Sequence, residues 1–209
     1  MLGPVYVGED MRFAAVLSAV FFMCAPFCAI AEAVPTQAQA QLSPLKQVEH
    51  AINDLVTVIE TSAASTTVEQ RREKLRKVID PVFDFEEMAR RSLGAYWKEI
   101  SAEEQVEFVR VFSDLLARTY LSKIESLKRG MVHLESERIE APRALVKTIV
   151  EDKGNKFPID YKLLDQNGVW KVYDVIIENI GLVANYRNEF AGVIRKESFA
   201  GLMKKLSEK

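Results

Sequence analysis

Hydrophobic residues switch period near Gly130, and that switch limits the possible folds more than any other feature. Before Gly130 they recur every three to four positions; from there to Ile177 they alternate, and the helical spacing then returns. Side chains share a face every ~3.6 residues in a helix and every second residue in a strand. The chain therefore reads as helices first, sheet next and helices last.

Leu45, Val48, Ile52, Leu55, Val56 and Ile59 predict an amphipathic helix over 44–60. Ser43 is its cap and Pro44 its first-turn proline. Thr67 with Gln70 forms a capping box for a second, highly charged helix, with Leu75, Val78 and Ile79 as its stripe and Pro81 as its stop. Asp84 with Glu87 opens a third helix over 85–97, loosened at Gly94. Ser101 with Glu104 is another capping box and opens the longest helix, which runs to about 128. Four strands follow, at 131–139, 144–151, 157–164 and 169–177. "DKGN" and "DQNG" between the later strands are hairpin turns. Two closing helices are expected at 180–195 and 198–207, the second capped by Ser198. The fold class is α+β: a four-stranded antiparallel meander with helices packed on one face.

The first 33 residues stand apart. Arg12, an apolar run over 13–30, and small residues at Ala29, Ala31 and Ala33 spell a cleavable export signal at 1–33, with Met11 a better start than Met1. Residues 34–42 are a polar tether, and 43–209 a single domain. Cys24 and Cys28 lie inside the signal, so the remainder has no thiol for a disulfide or metal. Removal to Ala33 takes Glu9, Asp10 and Glu32 from 30 acidic residues and Arg12 from 28 basic ones, which leaves a neutral protein. That balance argues against nucleic acid as a partner.

Catalytic signatures are few. His50 and His133 lack metal-ligand spacing. There is no nucleotide-binding glycine loop and no nucleophile elbow. Glu86–Glu87 and Glu103–Glu104 sit in first helical turns, where carboxylates complement the helix dipole. Asp174 is different, because it interrupts the apolar strand "VWKVYDVII". A buried carboxylate needs a partner, and Arg187, Arg90 or Arg91 could supply one. Asp174 is either such a structural ion pair or the acid of a small exported enzyme.

Apolar bulk exceeds what a simple core contact needs. In the last strand, strict alternation sends Val169, Lys171, Tyr173, Val175 and Ile177 one way and Trp170, Val172, Asp174 and Ile176 the other. Phe157, Ile159, Tyr161 and Leu163 line one face of the strand before it. Periodicity does not distinguish a filled core from a lined pocket. A lipid carrier, an enzyme and a solid adaptor between membrane complexes all remain compatible with these residues.

Two long segments carry a resemblance: "VIDPVFDFEEMARRSLGAYWKEISAEEQVEFVRVFSDLLARTYLSKI" and "VWKVYDVIIENIGLVANYRNEFAGVIRKESFAGLMKKL". Together they resemble the MlaC-like family of periplasmic phospholipid-binding proteins, also called the toluene-tolerance family. The resemblance implies a monomeric periplasmic carrier without cofactor and not an enzyme. Such a carrier holds a phospholipid in an apolar cavity between sheet and helices. It shuttles between an inner-membrane ABC transporter with an MCE-domain protein and an outer-membrane lipoprotein–porin complex, and so maintains outer-membrane lipid asymmetry. A hopanoid is the alternative cargo. The resemblance places Tyr161, Leu163, Val175, Ile177, Val183, Tyr186 and Phe190 in the lipid-binding wall, with Phe108 and Phe112 beside them. It gives Asp174 and Arg187 a scaffolding role near the cavity. Asn179 stands where relatives often carry glycine.

Overall fold

The computed structural model describes residues 42–62 and 67–208. The expected export signal and all but the last residue of the tether lie outside them. Local capping sets the helices. Ser43 accepts a hydrogen bond from the Lys46 amide at 3.3 Å and starts α1, Pro44–Thr61. Both expected capping boxes are present, and they open α2, Val68–Ile79, and α4, Ala102–Glu125. Asp84 accepts from the Glu87 amide at 2.9 Å and opens α3, Phe85–Leu93.

Helix bounds differ from the sequence reading in α3, α4 and the closing helix. α3 stops at Leu93 rather than running to 97, because Gly94 adopts φ 60° and ψ −123°. A short 3-10 turn, Gly94–Lys98, follows it. α4 stops at Glu125, short of 128, where the Ser126 hydroxyl donates to the Lys123 carbonyl at 2.7 Å. The two closing helices form one element, α5, Leu182–Ser207, broken at Ser198 with φ 71° and ψ 173°. That backbone region is strained for a residue with a side chain. Ser198 still caps the second half, accepting from the Gly201 amide at 3.4 Å.

The sheet is a fully antiparallel meander of five strands in order β1 to β5, one more than expected. They are Val132–Glu140, Arg143–Asp152, Asn155–Gln166, Val169–Ile177 and the two-residue Ile180–Gly181. Three hairpins turn on residue pairs of positive φ: Lys153–Gly154, Asn167–Gly168 and Glu178–Asn179. Such pairs match the twist of antiparallel strands. Asn179 takes the role glycine would play there, since asparagine tolerates positive φ.

One feature of β4 overturns the expected facing. Lys162 pairs with Asp174, yet Leu163 pairs with Val172, so Tyr173 is an extra residue with no partner. This is a β-bulge, and it shifts alternation by one. Trp170 and Val172 therefore share a face with Val175 rather than opposing it, and Ile177 packs with them. Tyr173 and Asp174 turn the other way, toward α3 and α5. The Arg91 guanidinium lies 4.4 Å above the Tyr173 ring, a favourable cation–π contact.

The outer edge of β4 is covered at both ends. β5 pairs with Ile176 and Ile177. At the other end the segment 82–84 lies alongside: Val172 donates to the Val82 carbonyl at 2.9 Å and accepts from the Asp84 amide at 2.8 Å. Apolar residues then collect in two clusters. α3, α4 and α5 form a helical cluster around Phe108, Phe112 and Phe190. The inner sheet face and α1 form a second, around Val48, Val146 and Leu163.

Candidate functional site

The inner sheet face is built by register. β2 and β3 pair Ala144 with Leu163, Val146 with Tyr161 and Thr148 with Ile159. β3 and β4 pair Leu163 with Val172, Tyr161 with Val175 and Ile159 with Ile177. Directly opposite residues put their side chains on the same face, so these form one continuous surface, polar only at Thr148 and the Tyr161 hydroxyl. α1 closes one side of it with Leu45, Val48 and Ile52. There the surface is sealed: Val48, Val146 and Leu163 are 2%, 0% and 0% exposed.

The rest of the surface is not sealed. Ile159, Tyr161 and Ile177 keep accessible area, as do Leu134, Phe83 and Leu182 around them. Burial pushes the Tyr161 phenol up to about 12, against a small opposing effect from the Thr148 hydroxyl. The ring itself is half-buried, like Ile159 and Ile177 beside it. The Thr148 hydroxyl itself donates to the Ile159 carbonyl at 2.7 Å and is fully buried. A separate groove of about 450 Å³ runs between α1 and α2, with Val58, Val78 and Val82 among its walls. None of the expected wall residues lines that groove, although Val82 also packs against the sheet cluster.

The structure divides the residues expected together. Tyr161, Leu163, Val175 and Ile177 belong to the sheet cluster. Val183, Tyr186, Phe190, Phe108 and Phe112 belong to the helical one. The division falls between Leu182 and Val183, adjacent residues at the start of α5 that pack on different clusters. In the helical cluster Phe108 stacks on Phe112 at 5.8 Å, and Phe190 meets both edge-on at 5.7 and 5.6 Å. Such offset and perpendicular contacts add to burial. Tyr186 packs on Phe112 at 5.3 Å. Burial, then the neighbouring Tyr120 phenol, pushes its own phenol up to about 12. Phe83, Leu134 and Val146 were not expected on the sheet surface. Val82 and Phe83 directly after Pro81 are the one local signal for the first of these.

Asp174 has a partner other than the arginines expected. Its Oδ2 accepts from Lys162 Nζ at 3.0 Å, across the β3–β4 pairing. Its Oδ1 accepts from the Val183 amide at 3.1 Å. Gly181 begins α5 without a capping side chain, so Asp174 does that work from the adjacent strand, where its charge also meets the helix dipole. A Cβ at Gly181 would lie 3.3 Å from the carboxylate, which explains the glycine. The arginines are committed elsewhere. Arg187 Nε donates to the Arg91 carbonyl at 2.7 Å, and Arg90 and Arg91 both pair with Glu87 at 2.6 Å. Burial pushes the Glu87 carboxyl up, but those two arginines outweigh it and hold the pKa below its ordinary value.

Among the described residues no group of side chains is arranged to hold a metal ion, and no helix is long and apolar enough to cross a membrane. By fold and site, then, this is an α+β domain whose meander presents a continuous, only partly sealed apolar face. The chain belongs to the MlaC family: residues 49–208 match the family model described as "MlaC protein". It is 23% identical over 199 residues to the intermembrane phospholipid transport system binding protein MlaC of Haemophilus influenzae, covering 90% of this chain and 92% of that one. Its fold superposes on a phospholipid-binding protein from Ralstonia solanacearum, solved in complex with a phospholipid. The TM-score is 0.73 and the identity 26%, over 78% of this chain and 94% of that chain.

Proposed function

We propose that this protein is a periplasmic phospholipid carrier that shelters acyl chains against the inner sheet face. The protein is a member of a carrier family and not an enzyme. The observation that carries the reading is the continuous apolar sheet face, on which Ile159, Tyr161 and Ile177 are half-buried rather than sealed. Support also comes from the structural relative, which was solved with a phospholipid bound.

The physical need is plain. Each methylene moved from a bilayer to water costs about 0.8 kcal/mol. Two acyl chains, with about 30 methylenes between them, would cost roughly 24 kcal/mol. A soluble carrier must replace that environment with dry apolar walls. Tyr161, Leu163, Val175 and Ile177 supply the sheet side of the wall. Val183, Tyr186, Phe190, Phe108 and Phe112 hold the helical side rigid behind it. Asp174 fixes the corner where sheet meets α5, and Arg187 ties α5 to α3.

In the cell, the reading is a chain exported by cleavage within 1–33, working as a monomer. It exchanges lipid with an MCE-type ABC transporter in the inner membrane and a lipoprotein–porin complex in the outer membrane. Lipid extraction from the purified protein, read by mass spectrometry, is expected to return a phospholipid with about one molecule bound per chain. Ile159→Trp lays an indole over the half-buried part of that face. It is expected to lower uptake of labelled phospholipid from vesicles about tenfold at a stability cost of about 1–3 kcal/mol. An empty wild-type protein, or full uptake by Ile159→Trp, would sink the proposal.

A further inference from the structure

We propose that the cleft between α2 and α4 is a phosphate-binding site, distinct from the apolar slot. The cleft holds about 150 Å³ and is lined by Arg72, Arg76, Asp114, Ala117, Arg118 and Leu121. Its construction follows from helical spacing. Arg72 and Arg76 are one turn apart on α2, and Asp114 and Arg118 are one turn apart on α4. Buried Leu121 lies at its base.

The charges in the cleft do not balance. Asp114 is the sole acid of the lining, and it is shared: Arg76 Nη1 reaches its Oδ1 at 2.6 Å and Arg110 Nη1 its Oδ2 at 3.3 Å. Arg76 Nη2 is held by the Ser113 hydroxyl at 3.3 Å. Arg118 spends one nitrogen on the Leu206 carbonyl at 3.0 Å and meets no carboxylate among the described residues. Arg72 makes no hydrogen bond or ion pair among the described residues. α2 as a whole carries Arg71, Arg72, Lys74, Arg76 and Lys77 against Glu69 and Glu73. Three guanidinium groups round one void repel each other, and an anion between them relieves that repulsion.

Phosphate is the anion that fits. Guanidinium groups bind its oxygens in pairs, which a single point charge cannot do. Arg76 is already oriented by Asp114 and Ser113, so less side-chain freedom is lost on binding. Arg72 is the free arm that completes the grip. The phosphate could come from solution or from a headgroup at a bilayer surface; the chemistry recognised is the same.

Titration of the purified protein with inorganic phosphate at low ionic strength, followed by backbone amide NMR shifts, is expected to saturate at α2 and α4. Arg72→Ala is expected to weaken that binding about tenfold, and Arg72→Lys to recover only part of it. Arg72 is exposed and uncommitted, so folding is preserved, and uptake of phospholipid into the slot is expected to stay at the wild-type level. Co-sedimentation with phosphatidylcholine vesicles containing phosphatidylglycerol separates the sources. Retention lost in Arg72→Ala and competed by phosphate assigns a headgroup; saturation by phosphate without retention assigns the free anion. If neither phosphate nor vesicles perturb the cleft, or if Arg72→Ala and Arg118→Ala both bind as wild type, the site does not exist. Continued lipid uptake alongside that result would leave the carrier reading intact.

Discussion

In the helical cluster Phe108, Phe112 and Phe190 have 0% exposure and interlock ring against ring. Across the start of α5, Ile159, Tyr161 and Ile177 belong to an equally apolar surface and remain partly accessible. Similar residue types thus end as a filled core in one place and a partly open face in the other. Three helices can slide and rotate until their side chains interdigitate. A meander held by its register, with one helix over one side, cannot close on itself. On the proposed function, rigid packing next to an open face suits a carrier, since a lipid lodged there must not dissolve the wall behind it.

Truncating each cluster should expose the difference. Phe112→Ala is expected to cost about 4 kcal/mol in chemical denaturation, because its neighbours are fixed and a cavity remains. Ile159→Ala, at an already accessible position, is expected to cost under about 2 kcal/mol. Equal losses would mean that the sheet surface is as tightly packed as the helical one.

The joint between the two regions is the next test. Asp174→Ala removes both the Lys162 pair and the acceptor for the Val183 amide. The expected loss is about 2 kcal/mol, measured by urea unfolding. Asp174→Asn, which keeps an acceptor for that amide, should recover about half of it. No loss in either variant would mean that α5 starts without help from β4.

Tyrosines report on both regions at once. Burial is the first cause of both shifts, and Tyr161 and Tyr186 each move from 10.0 to about 12. A raised folded-state pKa favours the protonated form in the fold. Their contribution is therefore intact below pH 10 and is lost as pH rises from 10 toward 12. Each should remove about 1 kcal/mol by pH 11. Tyr161→Phe and Tyr186→Phe should each flatten the alkaline limb of a stability–pH curve. If only one does, that region alone is shielded from water.

The smallest effect is a gain. Glu178 has φ 48° in the turn between β4 and β5, a region costly for a side chain that makes no local hydrogen bond. Glu178→Asn is expected to raise stability by about 0.5 kcal/mol in thermal unfolding, with lipid uptake unchanged. A loss would show that Glu178 does more than turn the chain.

Local signals in the sequence are legible where a few neighbouring residues carry them. Thr67 with Gln70, Ser101 with Glu104, and the glycine turns at 153–154 and 167–168 gave elements close to those observed. Residues of the site were legible as apolar and aromatic, but their grouping was not. Strict alternation in β4 put Val175 opposite Val172, whereas the bulge at Tyr173 puts them together. The partner of Asp174 is Lys162, set by strand register, and not one of the arginines that the sequence suggests.

Sequence by itself determined the order of helices and strands, most of their caps and turns, and the apolar character of the inner face. Each of those depends on residues within about one helical turn or one hairpin of each other. Tertiary structure alone decided the bulge, the cover that residues 82–84 and β5 give to β4, and which apolar residues were sealed and which stayed open. Those outcomes depend on the fit between surfaces far apart in the chain, and a side chain's identity does not record how completely its distant neighbours enclose it.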